Sequence, residues 1–155
     1  MTTERSIVLM PGEGKTLFLA DRGATATLKV VAGETRGQFS VVESAPMPGA
    51  PGLGRHRHRR SDEALYVLAG AVTARVGERT VQAPAGSFVF IPRGTPHMFW
   101  NPGPQPARVL VIFAPAGLER FLEETAEASR ESGRPPDAAT LAAIRRKHNT
   151  ELVDP

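Results

Sequence analysis

Glycine and proline punctuate this chain so regularly that no helical template fits before residue 117. Turn signals recur at Pro11-Gly12-Glu13-Gly14, Asp21-Arg22-Gly23, Ala69-Gly70, Gly77-Glu78, Pro84-Ala85-Gly86, Pro92-Arg93-Gly94 and Asn101-Pro102-Gly103-Pro104. Between them lie short segments of strand character. They are Ile7 to Met10, Thr16 to Ala20, Ala24 to Val31, Gln38 to Glu43, Ala64 to Leu68, Val72 to Val76, Arg79 to Gln82, Ser87 to Ile91, Thr95 to Trp100 and Arg108 to Phe113. Many short strands at even spacing predict an all-β fold, an antiparallel sandwich or barrel.

The pattern changes after residue 117. Leu118, Phe121, Leu122, Thr125 and Ser129 recur at helical spacing with Glu and Arg on the remaining positions, which predicts an amphipathic helix. Gly133 to Pro136 ends it, and Asp137 is placed to cap a second helix through His148, with Leu141 and Ile144 inward. The expected organisation is a barrel over residues 1–116 and a two-helix C-terminal appendage over 117–155, packed on the barrel and without evident chemistry. No internal repeat is visible. A chain of 155 residues suffices for one domain with a core of its own.

Composition narrows the chemistry. Without cysteine, thiolate metal sites, disulfides and cysteine nucleophiles are excluded, so any metal is held by nitrogen and oxygen. Ile7-Val8-Leu9-Met10 is far shorter than a signal-peptide core or a membrane span, so the expectation is a cytoplasmic protein with no membrane partner. The net charge of +3 is uneven: residues 1–116 carry 13 Lys and Arg against 8 Asp and Glu, and residues 117–155 carry 6 against 8.

The densest chemistry lies in Gly54-Arg55-His56-Arg57-His58-Arg59-Arg60-Ser61-Asp62-Glu63. On an extended segment His56 and His58 leave the same face and can reach one ion, and Glu63 offers a carboxylate just beyond. The arginines suggest a phosphate patch, but no recognition helix, zinc finger or aromatic platform accompanies them, so no nucleic-acid partner is expected. Arg57 and Arg59 then alternate outward, or draw an anionic substrate toward the site. The preceding segment, Ala45 to Gly54, holds three prolines and three glycines. It reads either as a loop bordering a site entrance or as a passive connection.

A second stretch completes the pattern: Gly86, Pro92, Gly94, His97 and Asn101. With His56, His58, Glu63 and Gly70, these residues resemble the two motifs of the cupin superfamily, G-x5-H-x-H-x3-4-E-x6-G and G-x5-P-x-G-x2-H-x3-N. The one departure is Ala50, where the first motif has glycine, although Gly49 and Gly52 flank it. The resemblance implies a single-domain cupin jelly-roll β-barrel, similar to small bacterial quercetin-dioxygenase-like cupins. The stretch Phe113 to Leu122 is also similar to theirs.

The residues support this independently. The Pro92-Arg93-Gly94 turn returns the chain so that His97 faces the same interior as His56 and His58. Asn101 closes a strand end through hydrogen bonds to the backbone. Most of Tyr66, Phe88, Phe90, Phe99 and Trp100 are expected in the core or between sheets; Phe99 shares the parity of His97 and is placed to line a pocket, and Met98 and Trp100, of opposite parity, are expected to face away from it. His148, near a helix end, is read as a packed or surface residue.

Three imidazoles and a carboxylate suit Fe, Mn, Co, Ni, Cu or Zn, and leave positions open for a substrate. By resemblance the metal ligands are His56, His58, Glu63 and His97, with Glu63 also the catalytic base. The implied activity is a metal-dependent dioxygenase, quercetinase-like, for an oxygen-rich aromatic or enol small molecule. Two alternatives stay open: a non-oxidative isomerase, cyclase or lyase resembling polyketide cyclases, and a non-catalytic small-ligand-binding cupin. Exposed outer strands predict a homodimer.

Overall fold

The computed structural model describes residues 5–154, and among them eleven strands form two antiparallel sheets. The first sheet runs β1 (Lys15–Leu19), β2 (Ala24–Val30), β3 (Ser40–Pro46), β10 (Arg108–Ala114), β5 (Asp62–Ala69) and β8 (Phe88–Ile91). The second runs β11 (Thr150–Leu152), β4 (His56–His58), β9 (His97–Trp100), β6 (Ala71–Val76) and β7 (Arg79–Pro84). The expected all-β jelly roll with two C-terminal helices is the architecture observed. Its two sheets face each other without hydrogen-bonded closure.

Strand alternation builds the core. Ala24, Ala26 and Leu28 of β2, Leu65 and Val67 of β5, and Val109, Val111 and Phe113 of β10 all turn inward. Each fully buried Val, Leu or Phe contributes about 1.5–3 kcal/mol, so this face fixes the register of its strands. Glu63 has the same parity as Leu65 and Val67, and β5 therefore carries a carboxylate into the interior.

Two expectations are corrected. Ile7 to Met10 forms no strand: β1 pairs with β2 alone, and the run lies exposed beside a turn closed by Glu13 N–H donating to Met10 O at 3.0 Å. Tyr66, Phe88 and Phe90 are not core residues either. Their parity is opposite to that of Leu65, Val67 and Ile91, and it puts them on the outer face, Phe88 64% and Phe90 55% exposed.

The first helix follows the predicted periodicity, whereas the second fully buries neither Leu141 nor Ile144, and Ile144 packs half-buried against the core. α1 (Leu118–Ser132) buries Leu118, Phe121, Leu122, Thr125 and Ser129, and Gly133 ends it in the left-handed region at φ 65°. α2 (Ala138–Lys147) starts at Asp137, whose carboxylate accepts from Thr140 N–H at 2.8 Å. The tail then does more than pack on the barrel. Asn149, at φ 55°, turns the chain, and Thr150–Leu152 joins the second sheet along β4.

The first half of the Pro/Gly-rich loop is tied down: Met47 N–H donates to Gly23 O and Gly49 N–H to Asn101 O, each at 2.9 Å. At Gly52, φ +73°, a Cβ would meet Phe99 O at 2.7 Å, so this loop lies against β9 at a distance only glycine allows.

Glu119, which the amphipathic reading put on the polar side, is buried at the start of α1. It accepts from Ala32 N–H at 2.8 Å and from Gly117 N–H at 2.7 Å, tying the helix to the barrel. Burial pushes its carboxyl up, but the backbone donors outweigh burial and hold it below the ordinary 4.5. A lowered folded pKa gives stability that is present above the unfolded value and lost as pH falls through the folded one. Glu119→Gln is expected to cost about 1–3 kcal/mol at neutral pH in urea unfolding, with the difference from the parent chain shrinking on acidification.

Candidate metal centre

The strand period of two builds the site. In the three-residue strand β4, His56 and His58 point inward and Arg57 lies between them at the surface side. β9 aligns His97 opposite His56, and β5 in the facing sheet brings Glu63. The four sequence-derived site residues are thus brought together. Their ligand atoms all lie within 4.8 Å of one another, and all four residues are buried.

The outer nitrogens are anchored. His56 Nδ1 lies 2.7 Å from Gly54 O, His97 Nδ1 2.9 Å from Thr95 O, and His58 Nδ1 2.9 Å from Thr150 Oγ1. A carbonyl can only accept, so His56 and His97 donate from Nδ1 and present Nε2 to the centre. This is the arrangement that orients histidines around metal ions.

Electrostatics agree. Glu63 Oε2 lies 2.8 Å from His97 Nε2 and 3.2 Å from His58 Nε2. Burial pushes the Glu63 carboxyl up, but the charge of His97 and hydrogen bonds from both histidines hold it well below the ordinary carboxylate range. Burial, followed by the neighbouring His97 and His58, holds His56 well below its ordinary value and keeps it neutral. Burial opposes protonation of His97, yet the charge and hydrogen bond of Glu63 raise it. A buried carboxylate facing three imidazoles calls for a cation at the centre, and the donor set fits a divalent transition metal.

The cluster borders a cavity of about 70 Å³. Its lining includes Val42, Phe99, Val111, Phe113, Phe121 and Leu122. Phe99 is there, as its parity predicts. Gly52 and Leu53 also line it, so the Pro/Gly-rich loop borders the site. Asn101 serves the backbone: Nδ2 donates to Gln105 O at 2.8 Å and Oδ1 accepts from Gly103 N–H at 3.1 Å. His148 stays outside the cluster, 3.2 Å from Glu124 Oε1.

Two site features escape the sequence reading. Thr150 is one, 92 residues from the histidine it touches. Arg22, which lines the cavity, is the other.

His58→Ala and His97→Ala are each expected to lose most bound metal while circular dichroism stays that of the parent fold. Unchanged metal stoichiometry in both would refute the ligand set. Thr150→Val keeps the ligands and is expected to weaken metal affinity by about 10–100-fold.

Comparison with known proteins places the geometry in context. A family model described as "Cupin domain" matches residues 43–113. Comparison with curated protein sequences finds no match. Among solved structures, a "predicted oxalate decarboxylase" from Thermotoga maritima superposes with a TM-score of 0.65 at 17% identity, over 70% of this chain and 99% of that one. The polyketide cyclase RemF from Streptomyces resistomycificus gives 0.62 at 23%, over 71% and 80%. An RmlC-like cupin from Shewanella frigidimarina gives 0.63 at 18%, over 75% and 96%. At these identities the likeness is one of fold. The family match spans both histidine-bearing motifs, and the solved cupins share the fold around them: residues 43–113 of this chain form a cupin domain.

Proposed function

We propose that this cupin is a metal-dependent enzyme for a small molecule with an ionisable enol or phenol oxygen, with dioxygen as co-substrate. One observation carries the reading: Glu63 is the one carboxylate among the described residues lining an otherwise largely apolar cavity, and it belongs to the histidine cluster. His56, His58, Glu63 and His97 would hold the ion. When bound, a divalent metal supplies Lewis acidity toward a substrate oxygen and a route to oxygen chemistry.

The chain's own residues do the rest. Glu63 faces the cavity beside the histidines, where a carboxylate oxygen is placed to take the proton of the substrate hydroxyl. Gly54, Thr95 and Thr150 fix the imidazoles from behind. The apolar walls exclude water and position the substrate body. A second reading, non-oxidative cyclisation or isomerisation through the same proton transfer, is favoured by the fold shared with RemF.

Glu63→Gln is expected to keep a measurable share of the metal and lose turnover by about 10²–10⁴-fold. Oxygen uptake on flavonol and enol substrates separates the two readings, because turnover with Zn and without oxygen would overturn the oxidative one.

We also propose a homodimer. Its support is the open edge strand β8, where Phe88 and Phe90 stand exposed. Light scattering is expected to report twice the 16.6 kDa chain mass, and Phe88→Asp with Phe90→Asp to report one chain.

A further inference from the structure

The arginines beside the histidines do not face the cavity. Arg55 bonds Glu78 at 2.7 Å and Asp154 at 2.8 Å, Arg57 bonds Glu151 at 2.9 Å, and Arg59 bonds the same carboxylate. None of the three lines the cavity, whereas Arg22 does. Arg22 sits in the β1–β2 turn, 9% exposed, with its guanidinium carbon 5.2 Å from the centroid of the Phe121 ring.

How that guanidinium is satisfied is informative. Nε donates to both Asp21 oxygens at 3.2 Å, and Nη2 donates to Oδ2 at 3.0 Å. Asp21 thus occupies the side-on edge. The end-on edge, Nη1 with the second hydrogen of Nη2, has no further partner among the described residues. Nη1 is not among the buried polar atoms left without a partner, so it keeps access to solvent.

Charge is in excess there. Arg145 of α2 is half-buried, senses both Asp21 and Arg22, and has its Nε buried without a hydrogen bond. A planar pair of N–H donors matches the two oxygens of a carboxylate. A phosphate dianion is a poorer match, because Arg22 is the only Lys or Arg among the described lining residues.

We propose that Arg22 anchors the substrate through a carboxylate, and that the cavity takes an apolar monocarboxylate. The acid group sits on the end-on edge of Arg22, the apolar body lies against Leu19, Val42, Phe113 and Leu122, and the reacting end reaches Glu63 and the histidines. This rests on the reading of the cavity as a substrate site. Arg22 is a binding and specificity residue here, with no part in proton transfer.

Calorimetric titration of the metal-loaded full chain with benzoate and with its neutral isostere benzamide tests it. The expected affinity ratio favours benzoate by about tenfold or more. Arg22→Gln brings the ratio to within about twofold while leaving benzamide affinity unchanged, and Arg22→Lys retains part of it. A ratio near one in the parent chain overturns the proposal. So does a ratio that survives Arg22→Gln, or equal weakening of both probes, which would mark Arg22 as merely structural.

If Arg22→Gln does not melt cooperatively, Asp21→Asn with Arg22→Gln removes both charges together and is read by the same ratio. Metal content is measured on the same samples. A chain that binds no metal but keeps the Arg22-dependent ratio would refute the metal reading and leave this one standing.

Discussion

A carboxylate only 4% exposed cannot stay ionised in an apolar interior without positive compensation, and much of this molecule is arranged to supply it around Glu63. The strand period that buries Leu65 and Val67 forces Glu63 inward with them. The facing sheet answers with three imidazoles, two from β4 and one from β9. Because no backbone ladder joins the two sheets, the Glu63–histidine cluster is a polar link across the barrel. A cation bound there would tie one sheet to the other.

Charge distribution has a structural counterpart. The basic body and mildly acidic tail visible in the sequence meet where Arg57 and Arg59 pair with Glu151 of β11, and Arg55 with Asp154. Lys15 and Glu123 repeat the theme at the first turn of the barrel edge. Pairs at the surface contribute little each, so they orient the tail on the barrel more than they hold it. They also take up the arginines beside the histidines, leaving Arg22, remote from the motifs, as the cation of the cavity.

What the sequence reveals and what it hides follow from the range of the interactions. The histidine–glutamate cluster is legible because its geometry is local: a two-residue period on β4, a tight turn before His97, and inward parity at Glu63. The α1 burial pattern is legible for the same reason. The outward aromatics are misread because strand parity can be placed on either face until the partner strands are known, and Phe88 and Phe90 follow Ile91 only through pairing with β5. Ile7 to Met10 has strand composition but no edge to pair with among the described residues. β11 and Arg22 are invisible to periodicity, since a three-residue strand is too short for a pattern and the role of Arg22 depends on a helix about a hundred residues later.

The contact between His58 and Thr150 has a consequence for the order in which the site is assembled. His56, His58, Glu63 and His97 all precede the two helices in the chain, so they leave the ribosome before the residue that holds His58 from behind. A nascent barrel can gather its ligands early, but the imidazole of His58 is fixed only once α1 and α2 have folded back and β11 has docked. The candidate ligands are thus gathered before their support is complete, and the support of His58 arrives at the last step of the topology.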